Sequence, residues 1–277
     1  MPKKTQSSAL LREETGYVMQ LQNFSVNDGE GIRTTIFLCG CPLHCIWCCN
    51  PENMAYRDKA HKMTLQEVEA VVSRQALFFR RCDGGITFSG GEATMQQGFL
   101  RSMTERFYDK GYKLSIETCG YFNFEQVRDI LEKMDLIFFD LKLMDDRLHQ
   151  SFTGVSNQII KENLKKGGQL GIPLVVRIPV IVGVNAFEDN IHATCSFLQK
   201  HVPEAKLEFL PYHKLGMDKY EKLGMPTPDE QYESIRKEDI AVSGFSFADR
   251  MTTPSEELLS SFSDIARAYH IDTISFR

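Results

Sequence analysis

Apolar residues gather in short β-branched or aromatic runs, separated by longer stretches in which they return every three or four positions. The runs at Thr34 to Leu38, Ile86 to Ser89, Lys113 to Glu117, Leu136 to Asp140, Leu174 to Val182 and Lys206 to Tyr212 each predict a strand. The helix-period stretches are Thr64 to Phe79, Thr94 to Lys110, Phe124 to Met134, Ser156 to Leu170 and Glu188 to His201. Val18 to Phe24 alternates in part and predicts one further short strand. Strands alternating with helices imply an α/β fold with a parallel sheet, and right-handed crossovers curl such a sheet into a barrel or partial barrel. Residues 1–16 read as a polar lead-in and 17–277 as one domain. Pro226 to Thr253 reads as an insertion before a final helix, Ser255 to Tyr269, and a short strand, Asp272 to Phe276.

A parallel barrel carries its functional groups at the carboxyl ends of its strands. The chemistry-bearing residues of this chain fall there: a cysteine loop after the first strand, Gly90-Gly91-Glu92 after the second, Glu117-Thr118 at the third, and Asp140 and Lys142 at the fourth. Arg177 lies within the fifth, and His213 follows the sixth. Asp140 and Lys142, two apart, share one face of an extended chain and can pair.

The chain has 277 residues, is 42% hydrophobic and 25% charged, and carries a net charge of −5, which argues against a general nucleic-acid binder. No run approaches the ~20 apolar residues of a membrane span, and the first residues lack the apolar core of a signal peptide. The expected location is the cytoplasm. Of the eight cysteines, five lie between Cys39 and Cys49, where metal binding is a better reading than disulfides.

Cys41, Cys45 and Cys48 are spaced C-x3-C-x2-C on one short loop. They are one ligand short of the four thiolates that close a structural zinc or a ferredoxin-type cluster, so the centre they hold has an open position. Two alternatives stand beside an iron–sulfur cluster: a zinc site completed by His44 or a distant residue, and small buried thiols without metal. The spacing, with Trp47 just ahead of the third cysteine, resembles the signature of the radical S-adenosylmethionine (SAM) enzymes. That resemblance implies a partial (β/α)6 barrel and one [4Fe-4S] cluster whose uncapped iron chelates the methionyl end of SAM. It also implies reductive cleavage of SAM to a 5′-deoxyadenosyl radical.

Further motifs carry the resemblance toward the activases of glycyl radical enzymes. Gly90-Gly91-Glu92 is similar to the GGE motif, where backbone lies against the methionyl amino group; glycine permits that approach. Glu117-Thr118-Cys119-Gly120 occupies the place of D-T-N-G, whose acid and threonine help hold a monovalent cation. Glu in place of Asp leaves that cation site open, and Cys119 reads as a packed thiol. Asp140-Leu141-Lys142 matches D-L-K and Arg177 the strand-5 arginine, which the resemblance sets toward SAM; a buried ion pair fixing the barrel interior is the plain alternative for Asp140 and Lys142. His213 in LPYH lies near the nucleoside in the relatives. DGEGIR resembles the DGPGIR entry, which makes Asp28 a candidate partner contact beside its plain reading as a turn aspartate.

The resemblance runs from about Leu21 to Gly224 and implies an activase that takes a hydrogen atom from a glycine of pyruvate formate-lyase or a close relative. HQ-x3-GVSN (His149 to Asn157) and LPYHKLG (Leu210 to Gly216) look like pyruvate formate-lyase activases, whereas CPLHCIWCCNPE reads more like the activases of cobalamin-independent glycerol dehydratase. Between Cys48 and Gly90 lie 41 residues, 49 to 89, containing only Cys49 and Cys82. There is thus no ferredoxin-like insert there, and the expected electron donor is external reduced flavodoxin or ferredoxin. The alternatives are an activase of another glycyl radical enzyme, of glycerol or diol dehydratase or choline lyase type, or a radical SAM enzyme acting on a small metabolite.

Overall fold

The computed structural model describes residues 13–55, 57–237, 240, 242 and 244–276. Residues 1–12 of the expected lead-in lie outside the described residues, and its last two, Thr15 and Gly16, already belong to a strand. The strands are β1 (Thr15–Ser25), β2 (Arg33–Leu38), β3 (His61–Thr64), β4 (Gly85–Gly90), β5 (Lys113–Thr118), β6 (Leu136–Asp140), β7 (Leu174–Val180) and β8 (Lys206–Pro211). They form one sheet in the order β3-β1-β2-β4-β5-β6-β7-β8. The six expected strands run parallel from β2 to β8, while β1 and β3 add an antiparallel edge. The sheet is a partial barrel and does not close. β3 was not expected: His-Lys-Met-Thr has no apolar run, and its pairing with Thr15 to Val18 makes it a strand.

The helices are α1 (Glu52–Ala55), α2 (Leu65–Ser73), α3 (Ala76–Arg81), α4 (Gln97–Asp109), α5 (Phe124–Leu131), α6 (Asp146–Thr153), α7 (Gln158–Gly168), α8 (Glu188–His201), α9 (Met217–Leu223), α10 (Pro228–Arg236) and α11 (Glu256–Ala268). Burial on both faces explains the apolar runs: β4 and β7 are covered along nearly their whole length. Besides β3, helices α1, α9 and α10 were not expected, and other elements differ from the sequence reading. The helix expected over Thr64 to Phe79 breaks after Ser73, where Arg74 and Gln75 donate to residues three back instead of four. A separate α6 precedes α7: Asp145 caps it through Leu148 N, and Gly154 at φ 82° ends it. The C-terminal segment is not a strand but a single bridge from Thr273 to Leu207 of β8.

Interior side chains stack in layers because every second residue of a strand faces inward. At the floor the buried Arg33 donates to Thr87 Oγ1 at 2.7 Å, Ile86 O at 2.7 Å and Ser115 Oγ at 2.9 Å, tying β2 to β4 and β5. Burial lowers its pKa from 12.5 to about 10, against the pull of Asp135, Asp28 and Glu30. Phe276 meets the ring of Phe138 edge-on at 5.3 Å, and the guanidinium of Arg177 lies 3.6 Å from the centroid of the same ring. Two apolar cores flank the barrel: a large one between sheet and helices, and a second built by the cysteine loop, α6, the turn after β7 and residues 228–251.

Gly90 ends β4 at φ 123°, and a Cβ there would meet Leu38 O at 2.1 Å. Gly111 also has positive φ, at 71°, but a Cβ would meet nothing within 4 Å. Gly111→Ala should therefore cost only about 1–2 kcal/mol of backbone strain, whereas Gly90→Ala should cost more and displace the strand end. Thermal melts of the two variants check this; equal losses would contradict the close packing of Gly90.

Candidate active site

The carboxyl ends of the parallel strands open onto a cavity of about 730 Å³. Cys41, Cys45, Cys48, Trp47, Gly90, Gly91, Glu117, Thr118, Asp140, Lys142, Arg177, His213 and Asp28 all line it. Glu92 does not. Its carboxylate turns into the protein and accepts from Thr94 N at 3.1 Å, Thr118 Oγ1 at 2.9 Å and Cys119 N at 2.6 Å, so it joins the ends of β4 and β5 from behind.

The cysteine loop has little secondary structure of its own and is held by its neighbours. On one side His44 N donates to Thr153 O at 2.8 Å and Ile46 N to Phe152 O at 3.2 Å, both carbonyls at the end of α6. On the other, Tyr220 of α9 donates to Cys48 O at 2.9 Å, and Lys219 bonds Asn50 Oδ1 at 2.8 Å and Glu52 Oε1 at 2.7 Å. Gly40 N and Cys41 N donate to Asn53 O and Met54 O of α1. Burial pushes the Cys45 thiol up to about 12 and the Cys48 thiol well above the ordinary range. Cys41 differs: a hydrogen bond with the Cys119 thiol lowers it despite burial. Free thiolate is thus costly at Cys45 and Cys48, and iron that takes up the charge relieves that cost.

Among the described residues, no three His, Cys, Asp or Glu side chains stand close enough together to hold one metal ion. His44 is exposed and does not line the cavity, so it does not complete a zinc site with the triplet. Three thiols on one loop would fit an iron–sulfur cluster, each thiolate supplying one ligand.

Behind the thiols lies a polar layer. Lys142 Nζ sits 2.8 Å from Asp140 Oδ2, as the two-residue spacing predicted. Burial opposes the Lys142 charge, but Asp140 and Cys45 outweigh it and hold the ammonium above its ordinary range. Arg177, itself 7% exposed, bridges Glu117 at 2.5 Å and Glu208 at 2.8 Å. Glu117 also accepts from Ser89 Oγ at 2.5 Å, and burial raises its pKa in spite of Arg177. Thr118, the next residue, donates its hydroxyl to Glu92. Asp28 accepts from Ser25 Oγ at 2.6 Å and Thr35 Oγ1 at 2.5 Å, so its carboxylate serves its own turn at the cavity floor. His213 stands exposed at the rim beside Leu215.

The sequence reading missed Glu208, which is buried and shared between Arg177 and the Phe276 N–H. The signal was present: Lys-Leu-Glu-Phe-Leu-Pro sets one acid inside an apolar strand, and a buried acid requires a partner. Cys119, read as a packed thiol, lines the cavity against Cys41.

The family model described as the Radical SAM superfamily matches residues 35–197. Isethionate sulfite-lyase activating enzyme of Nitratidesulfovibrio vulgaris is 32% identical over 80% of this chain and 92% of its own. The chain belongs to the radical SAM superfamily, in its branch of glycyl-radical-enzyme activating enzymes. Other members of the branch are comparably similar. Pyruvate formate-lyase-activating enzyme of Clostridium pasteurianum is 32% identical over 80% of this chain and 93% of its own. Trans-4-hydroxy-L-proline dehydratase activating enzyme of Clostridioides difficile is 29% identical over 80% and 93%. The crystal structure of a domain of pyruvate-formate lyase-activating enzyme from Bacteroides vulgatus aligns with a TM-score of 0.53 at 28% identity, over 69% of this chain and 98% of that one. Radical SAM enzymes use a [4Fe-4S] cluster and SAM, and the donor set around the cavity fits both. Among the described residues no helix is long and apolar enough to cross a membrane.

His149 of α6 stabilises the turn that holds the loop: its Nδ1 lies 2.7 Å from Val155 O and 3.0 Å from Thr153 Oγ1. Burial lowers its pKa from 6.5 to about 4, so folding favours the neutral ring. The stability this lends is fully present above pH about 6.5 and is lost as pH falls toward about 4. Thermal melts of the cluster-free protein across that range should fall, and His149→Gln should flatten the slope. An unchanged slope in the variant would assign the acid sensitivity to other groups.

Proposed function

We propose that this protein activates pyruvate formate-lyase or a close relative by taking a hydrogen atom from one of its glycines. The observation that carries the reading is the convergence of three cysteine thiols, the Asp140–Lys142 pair and Arg177 on one cavity of about 730 Å³. In this reading Cys41, Cys45 and Cys48 hold the cluster, and the backbone at Gly90 and Gly91 receives the amino end of SAM. Lys142 and Arg177, neutralised in part by Asp140, Glu117 and Glu208, offer charge to its carboxylate and ribose. Trp47 and His213 border the nucleoside, and Glu92 stiffens the strand ends from behind. When bound, the cluster and SAM supply a 5′-deoxyadenosyl radical to the partner glycine.

This chain's task is then position and exclusion of water, since a hydrogen atom and not a proton leaves and no general base is required. The cavity, of the ordinary size for a small-ligand pocket, opens at the strand ends, where a backbone loop of the partner would meet SAM. The turn fixed by Asp28 borders the cavity, and in this reading the loop would enter beside it. Reduced flavodoxin or ferredoxin is the proposed electron donor. A second reading takes another glycyl radical enzyme as partner, and the similar identities of relatives named for isethionate sulfite-lyase and trans-4-hydroxy-L-proline dehydratase favour keeping it.

The test is anaerobic SAM cleavage with a chemical reductant. Wild type should form 5′-deoxyadenosine, Cys45→Ala should form none, and Lys142→Met should raise the SAM concentration needed by roughly tenfold or more, the effect of about 1.4 kcal/mol. Cleavage at the normal rate by Cys45→Ala would show that the ligands are wrongly assigned. Addition of pyruvate formate-lyase should increase 5′-deoxyadenosine in proportion to partner added; an increase with a different glycyl radical enzyme alone would move the assignment to the second reading.

A further inference from the structure

Residues 226–253 interrupt the strand–helix rhythm and belong to no crossover. Their described part packs on the back of the cysteine loop. The link is Phe152, whose carbonyl accepts from Ile46 N of the loop at 3.2 Å and whose ring is fully buried. That ring lies 6.4 Å from Trp47 on the loop side. On the other side it stacks on Tyr232 at 6.2 Å and meets Phe245 and Phe247 at 6.3 Å each. Phe245 and Phe247 pack edge-on to each other at 4.9 Å.

The segment is in turn anchored to the barrel rim. The Tyr232 hydroxyl reaches Gly183 O at 3.0 Å and Ala248 O at 3.1 Å. Thr252 pairs with Val182 beyond β7, and Thr253 Oγ1 donates to Tyr212 O beyond β8 at 2.9 Å. One residue of α6 thus gives its carbonyl to the cysteine loop and its ring to this segment.

We propose that the described residues of 226–253 are a brace for the cysteine loop, acting through Phe152 to keep the three thiols in the arrangement that retains the cluster. The inference rests on the reading of Cys41, Cys45 and Cys48 as cluster ligands. Tyr232, Phe245 and Phe247 are positioning residues: none lines the cavity, and each acts on the loop through α6. A brace of this kind matters because the loop supplies few internal hydrogen bonds, and an opening of the loop exposes iron to solvent and chelators.

The test follows iron release from anaerobically reconstituted protein to a ferrous chelator, together with thermal melts. Phe247→Ala should release iron roughly tenfold faster than wild type, Tyr232→Phe, which removes only the hydroxyl anchor, should be faster by a smaller factor, and Phe247→Tyr, which keeps the ring, should stay near wild type. Phe262→Leu in α11 supplies the control, because it weakens the other core and leaves the brace intact. Fast release by Phe247→Ala, with slow release by the Phe262→Leu control at a similar loss of melting temperature, supports the brace. Release that tracks melting temperature alike in both variants, or Phe247→Ala releasing iron at the wild-type rate, would overturn it. Wild type that takes up no [4Fe-4S] cluster would overturn the ligand reading and the brace together.

Discussion

A loop that makes few hydrogen bonds of its own has to present three thiols in a fixed arrangement, and the rest of the structure is built around that constraint. Its N–H groups at His44 and Ile46 are answered by the last carbonyls of α6, and the Cys48 carbonyl by Tyr220 of α9. The orphan carbonyls at a helix end are ordinarily left to water or a capping motif. Here they serve as a clamp, and Gly154 in the left-handed region turns the chain away so that the loop can reach them. Desolvated thiols on this loop favour a site that takes up negative charge as ligands are deprotonated, which is what a cluster does.

The polar layer beneath the loop solves a second problem. Acids and bases buried together cost several kcal/mol per unpaired ion, so each is given a partner. Arg177 satisfies Glu117 and Glu208 while resting on Phe138, and Lys142 satisfies Asp140. These side chains are thereby paired and fixed in the absence of any ligand, which lowers the cost of ordering them for one. At the other end Arg33 bonds Ser115 Oγ and Phe276 packs edge-on against Phe138.

The six parallel strands and the gathering of chemistry at their carboxyl ends were legible in the sequence, because runs such as Leu136 to Asp140 combine β-branched or aromatic burial with a charged end. The Asp140–Lys142 pair followed from the period of two. What could not be read depends on tertiary contacts. Glu92, inside a motif associated with the ligand, turns inward because Thr118 and Cys119 N await it. α6 escaped notice since its eight residues carry only Leu148 and Phe152 as an apolar stripe. Residues 226–253 read only as an insertion, since the contacts of Tyr232 on α10 and of Phe245 and Phe247 beyond it with Phe152 are tertiary.

The central claim is hydrogen abstraction from a partner glycine, and anaerobic electron paramagnetic resonance tests it most directly. The reduced, cluster-loaded protein is mixed with SAM and pyruvate formate-lyase from the same cell. The account predicts a glycyl-radical doublet that requires all three components. SAM cleaved with no doublet from any glycyl radical enzyme of that cell, and a small metabolite consumed instead, would contradict it.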